Sequence, residues 1–146
     1  GPYKLWESNA IVTYLGERTH RLWPTDAEGK GRAAKWLFFE ARHLSEPIGE
    51  LWFNGYVARQ MGRTPDTLAA ETAAKKSARY LAVLNDHLGK DAWMLGSEYS
   101  LVDCCYGPVL DALALAGDYI EAYPALKAYL ARIRGRQAWR ACAFKS

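Results

Sequence analysis

The chain predicts an all-α helical bundle, and three observations carry that expectation. Apolar side chains recur at helical spacing from about residue 8 to the C-terminal region. Cap and stop residues punctuate the pattern. Strand-like alternation is confined to Tyr3-Lys4-Leu5-Trp6, which reads as a strand end or an extended lead-in. With 146 residues, half of them apolar and 24% charged, the chain can bury one globular core.

After Glu7-Ser8, the residues Ala10, Ile11, Tyr14 and Leu15 fall on one helical face, and Gly16 lies near its end. Pro24 breaks the pattern, and Thr25 or Asp26 can cap the next helix with Glu28 in its first turn. From Ala27 to about Met61 an amphipathic pattern runs through Trp36, Phe39, His43, Leu44, Ile48, Leu51 and Trp52. Pro47 should bend it, because proline lacks the backbone donor and crowds the preceding turn. Gly62 closes that helix. Thr64-Pro65-Asp66 then reads as a cap followed by proline at the first helical position, opening a helix that runs to Gly89. Gly89 to Tyr99 is a loop with Trp93, Met94 and Leu95 inside it.

Ser100 and Asp103 form a shortened capping box, in which each side chain can serve the other's backbone N–H. The helix they start, running to about Ala116, carries only Asp111 as a further charge and is expected to be buried on every side. Gly117-Asp118 stops it. Tyr123-Pro124 starts a further helix, ended by Gly135, and Gln137 to Ala143 reads as one last short helix.

Bulk properties narrow the function. The net charge of +3 is too small to demand a polyanion, and the acid-free stretch after Glu121, with Lys127, Arg132, Arg134, Arg136, Arg140 and Lys145, reads as a solvated face. Nucleic acid is therefore not an expected partner. No apolar run is long enough to span a bilayer. Cys104, Cys105 and Cys142 fit neither a disulfide framework nor a zinc spacing, and read as buried, reduced thiols of a cytoplasmic protein. There is no glycine-rich phosphate loop, nucleophile elbow or metal-spaced cluster, so no catalytic residue and no metal ligand is assigned.

One stretch has binding character: Leu5-Trp6-Glu7-Ser8-Asn9-Ala10-Ile11. A helix N-terminus with a hydroxyl and a carboxylate can hold a small zwitterion, the N–H groups and Ser8 taking its carboxylate and Glu7 its ammonium. Glu7 and Ser8 can equally well do no more than cap the helix.

That segment, with Tyr14-Leu15, resembles the glutathione-binding segment of cytosolic glutathione S-transferases. Tyr99-Ser100-Leu101-Val102-Asp103 resembles the capping box of the family's buried sixth helix, and Tyr123-Pro124-Ala125-Leu126 with Arg132-Ile133-Arg134 resembles its next helix. The resemblance implies an N-terminal remnant of a thioredoxin-like domain over residues 1–20, then an all-α C-terminal domain over 21–146. Glutathione is the implied co-substrate, a hydrophobic electrophile its partner, and a homodimer the implied assembly. Glu7 and Ser8 match the pair that binds the γ-glutamyl end of glutathione. Glu40 matches, less closely, an acid that in some classes reaches the γ-glutamyl amine of the neighbouring subunit. His43 and Leu44, one turn on, would face the electrophile pocket.

The residue that activates the thiol would lie before Gly1, so the chain alone is expected not to conjugate glutathione. The alternative is a non-catalytic helical assembly module of the same type. Apolar surface expected on residues 8–18 and near Trp36 and Phe39 would favour self-association.

Overall fold

The computed structural model describes residues 2–142, and every described helix falls within one bundle. Residues 2–6 form no regular element, Tyr3 resting on Tyr14 of α1 (Ser8–Thr19) with ring centroids 5.2 Å apart. Helix α2 (Ala27–Phe39) starts as expected, the Asp26 carboxylate accepting from Gly29 N–H at 2.8 Å. The long helical stretch after it is not one regular α-helix. It passes through a π turn at Glu40–Leu44, α3 (Ser45–Trp52), a second π turn at Phe53–Val57 and the short α4 (Ala58–Gln60). Pro47 falls in the first turn of α3, directly after the first π turn, where its missing donor and its ring are most easily accommodated.

Gly62 ends the stretch at φ 66°. The next helix, α5 (Thr67–Leu88), departs from the expected cap-then-proline order. Asp66 is its N-cap, accepting from Ala69 N–H at 2.9 Å, while Asp66 N–H donates to Asn54 Oδ1 at 2.8 Å. Buried Asn54 thereby binds the second π turn to the start of α5. Helix α6 (Leu101–Ala116) follows the loop, then α7 (Pro124–Gly135), with Pro124 at its first position, and α8 (Gln137–Cys142). Ala143 and Lys145 lie outside the described residues.

The capping box of α6 is present in both directions and does more than cap. Asp103, fully buried, accepts from Ser100 N–H at 2.8 Å and from the Ser100 hydroxyl at 2.7 Å through Oδ2. Its Oδ1 accepts from Met94 N–H at 2.9 Å and from the Tyr129 hydroxyl at 2.7 Å. One carboxylate therefore joins the 89–99 loop, α6 and α7. Burial first, and the Asp103 charge second, push the Tyr129 phenol well above its usual range, so it stays a donor. Leu101 N–H, an orphan at the helix start, donates to Leu22 O at 2.8 Å.

Around α6 the core is formed by fully buried Tyr106, Leu110 and Leu113 against Leu44, Ile48 and Leu84. The helix is not buried on every side, however: Cys104, Pro108 and Leu115 are exposed. Those positions lie within about 40° of one another on a helical wheel, so a narrow apolar stripe stays open. Of the three thiols only Cys105 is buried, which corrects the expectation for Cys104 and Cys142. In the last turn of α2, Trp36 turns inward and Phe38, 75% exposed, is the open aromatic. At the second π turn, a Cβ on Gly55 would fall 2.1 Å from the Ala116 carbonyl oxygen, so this backbone meets the end of α6 directly.

The basic C-terminal face is largely engaged within the chain. Arg134 pairs with Asp111 at 2.6 Å, Arg132 donates to Ala92 O at 2.8 Å, and Arg136 lies 3.5 Å over the Tyr99 ring.

Asp103→Ala would strand four buried donors and is expected to cost about 3–5 kcal/mol in urea unfolding; Asp103→Asn, which keeps one acceptor oxygen, about 2 kcal/mol. An Asp103→Asn chain as stable as the parent would contradict this account. Burial, then the Glu40 charge, pushes the Cys105 thiol up to about 12. At pH 8 iodoacetamide should therefore alkylate Cys104 in the folded chain and reach Cys105 only after unfolding, as read by peptide mass spectrometry.

Candidate functional site

Helix α1 begins under backbone strain. Glu7, its N-cap, has φ 69° and ψ 117°, a conformation that costs a non-glycine residue on the order of 1–3 kcal/mol. Its carbonyl accepts from Ile11 N–H at 3.0 Å, but its side chain makes no capping bond. The first-turn N–H groups thus have no side-chain cap, and the Glu7 and Ser8 side chains are both exposed. This geometry departs from simple capping, in which the side chain would turn back onto the helix.

Asn9, the next residue, faces inward. Its Nδ2 donates to Leu37 O at 2.9 Å and to Glu40 Oε2 at 2.9 Å. Glu40, 4% exposed, also accepts from the Ser45 hydroxyl. Leu37 O stands just before the π turn, where the i→i+5 pattern disturbs the ordinary ladder and a side-chain donor can engage a carbonyl. A second such bond lies beside it, from the buried Tyr106 hydroxyl to Trp36 O at 2.8 Å. Glu40 also adds to the upward displacement of the Cys105 thiol and the Tyr106 phenol, behind burial in both cases.

The structure therefore brings Glu40 beside the start of α1, but with its carboxylate turned into the bundle. His43 is half-buried, its ring stacked on Tyr80 at 4.4 Å and edge-on to Phe39 at 5.3 Å. Leu44 is fully buried in the core and presents no surface to a ligand. Helical spacing from Glu40 does place Leu44 on the same side; that side is the interior. The ring contacts of His43 are with Phe39 and Tyr80, and not with the start of α1.

Three open clefts lie elsewhere, beside Glu46 and Lys76, between Trp23 and Tyr99, and beside Asn54 and Tyr119. None is lined by Glu7, Ser8, Glu40, His43 or Leu44. Among the described residues no group of three or more His, Cys, Asp or Glu side chains is gathered as a metal would require, and no helix is long and apolar enough to cross a membrane.

Asn9 and Ser45 were not singled out from the sequence. Asn9 sits inside the binding segment, and an asparagine amide at the second position of a polar helix start was the available signal. Ser45 had none.

The family described as glutathione S-transferase, C-terminal domain, matches residues 57–132. A disulfide-bond oxidoreductase of Escherichia coli is 30% identical over 94% of this chain and 62% of its own length. A glutathione S-transferase of Arabidopsis thaliana is 29% identical over 96% of this chain and 68% of its own length. Among solved structures, a glutathione transferase of Burkholderia graminis with two glutathione molecules bound per subunit superposes with a TM-score of 0.81. It is 29% identical and covers 97% of this chain and 62% of that one. An apo glutathione S-transferase III superposes at a TM-score of 0.86 with 26% identity, covering 97% of this chain and 68% of that one. The chain thus spans 62–68% of the length of these relatives. With its all-α bundle and the match across α5 to α7, the chain belongs to the glutathione S-transferase family and carries the family's C-terminal domain.

Proposed function

We propose that this chain works within a glutathione S-transferase that conjugates the glutathione thiol to hydrophobic electrophiles. Residues 1–20 belong to a thioredoxin-like unit and 21–146 form the helical domain. The observation that carries the reading is the start of α1, where a strained Glu7, an exposed Ser8 and uncapped first-turn N–H groups stand together. A helix that needed Glu7 only as a cap would have no use for the strain.

In this reading the first-turn N–H groups and the Ser8 hydroxyl donate to the γ-glutamyl carboxylate of glutathione, and Glu7 pairs with its ammonium. A relative solved with two glutathione molecules bound supports the choice of ligand. Conjugation itself needs a group that lowers the thiol pKa so that the thiolate attacks the electrophile, and the resemblance assigns that role to no residue of this chain. The protein acts in the cytoplasm as a homodimer.

A second reading, a non-catalytic assembly module, draws support from the exposed apolar side chains of Trp6, Phe38 and Leu68, each more than 70% exposed. On that reading Glu7 and Ser8 have no ligand.

The test is a glutathione titration of the 146-residue chain followed by amide NMR. One charge-assisted pair and a few N–H donors should give a dissociation constant on the order of 1 mM, with shifts centred on residues 7–11. Glu7→Gln should weaken it about tenfold. Shifts absent from residues 7–11 would favour the assembly reading. The chain alone should not turn over an aromatic electrophile, and measurable conjugation would overturn the assignment of thiol activation to a group outside it.

A further inference from the structure

Helix α1 rests on α6, and Val12 is its one apolar side chain packed against the buried core. Of its twelve residues only Gly16 is buried, and Ile11, Tyr14 and Leu15 are each at least 36% exposed. Its N-terminal end is held instead by one amide. Both Asn9 Nδ2 protons are used, one by the Leu37 carbonyl and one by the Glu40 carboxylate. Neither acceptor can donate, so the amide cannot be flipped. The cost of that orientation is visible: Asn9 Oδ1 is buried and unpartnered, alone in this among the buried side-chain nitrogen and oxygen atoms of the described residues.

Glu40 is set from the other side. The π turn that begins at Glu40 is followed at once by Ser45, whose hydroxyl donates to Oε1. Among the described residues no Lys, Arg or His nitrogen lies within 4 Å of this buried carboxylate, so what holds it is the Asn9 amide and the Ser45 hydroxyl. At 4% exposure it offers no face to a ligand ammonium.

We infer that Glu40 is a positioning residue, which fixes the start of α1 from within the bundle through Asn9 and so sets the place of Glu7 and Ser8. Ser45, Glu40 and Asn9 form a clasp between the first π turn and α1. For its consequence on binding, the inference rests on the glutathione reading of the α1 start; the clasp itself does not.

The test uses two readouts on the 146-residue chain: amide hydrogen exchange of residues 8–19 against residues 67–88, and the glutathione titration. N9A should raise exchange in 8–19 about tenfold, leave 67–88 within about threefold and weaken glutathione about tenfold. E40Q keeps an acceptor for Asn9 and an amide to face the Ser45 oxygen while losing the charge, so both readouts should stay within about threefold of the parent. S45A, a milder cut, should raise exchange in 8–19 alone.

If E40Q weakens glutathione as much as Glu7→Gln with exchange unchanged, the Glu40 charge acts on the ligand directly and the inference is overturned. It is overturned equally if N9A leaves 8–19 unchanged, or raises both segments alike. A parent chain that does not bind glutathione would sink the functional reading, and the exchange pattern of N9A, E40Q and S45A would still decide the clasp.

Discussion

The fold depends most on the Asp103 carboxylate. A fully buried anion is among the most costly groups to place in a protein interior, yet here no cation neutralises it within salt-bridge distance among the described residues. Four donors do so instead, from the backbone of Met94 and Ser100 and the hydroxyls of Ser100 and Tyr129. The positive end of the α6 dipole adds to them. The donors come from three places, the 89–99 loop, the start of α6 and the body of α7. The 89–99 loop has a single isolated bridge, Trp93 to Gly96, and α7 shares little polar contact with α6 beyond the Arg134–Asp111 pair. A carboxylate that must collect all four donors to be tolerated brings those segments to one arrangement.

Glu40 repeats this logic on a smaller scale, on the other side of Cys105 and Tyr106, whose acidities both carboxylates influence. It too is buried and lies within 4 Å of no cation among the described residues, and it too is satisfied by an amide and a hydroxyl from different elements. The difference is in what is tied. Asp103 joins parts of the helical bundle to one another, whereas Glu40 joins the bundle to α1, a helix with almost no buried side chains of its own. Directional hydrogen bonds in a low-dielectric setting fix orientation as well as distance, which apolar contact alone would not do for so exposed a helix.

How much of this was legible in the sequence follows from which interactions are local. The capping box of α6, the Asp26 cap, the Gly62 stop and Pro124 at the start of α7 all act within a few residues, and each was readable. The binding segment at 5–11 was readable as a motif, but not the strain at Glu7, which needs coordinates. Within residues 27–61 the helical pattern and the buried Trp36, Leu44, Ile48 and Leu51 were readable, but the two π turns were not, because apolar periodicity assumes 3.6 residues per turn and cannot show one widened to i→i+5. Leu44 was misplaced for a different reason. Its spacing from Glu40 gave the correct side of the helix, and only the burial of Glu40 reveals that side as the interior. The partners of Asp103 at Tyr129 and of Glu40 at Asn9 lie 26 and 31 residues away, beyond any local signal.

The contact of Gly55 with the Ala116 carbonyl bears on how the bundle could change over time. Most helix contacts are made by side chains, which can be exchanged for others of similar volume with a compensating change opposite. Here backbone meets backbone, and a Cβ at position 55 would stand 2.1 Å from an oxygen that no rotamer can move. The second π turn and the end of α6 are therefore pinned in register, and neither can drift along the other as the sequence diverges. Variation in this half of the bundle must be absorbed by its loops and outer faces, around a point of contact that allows no side chain at all.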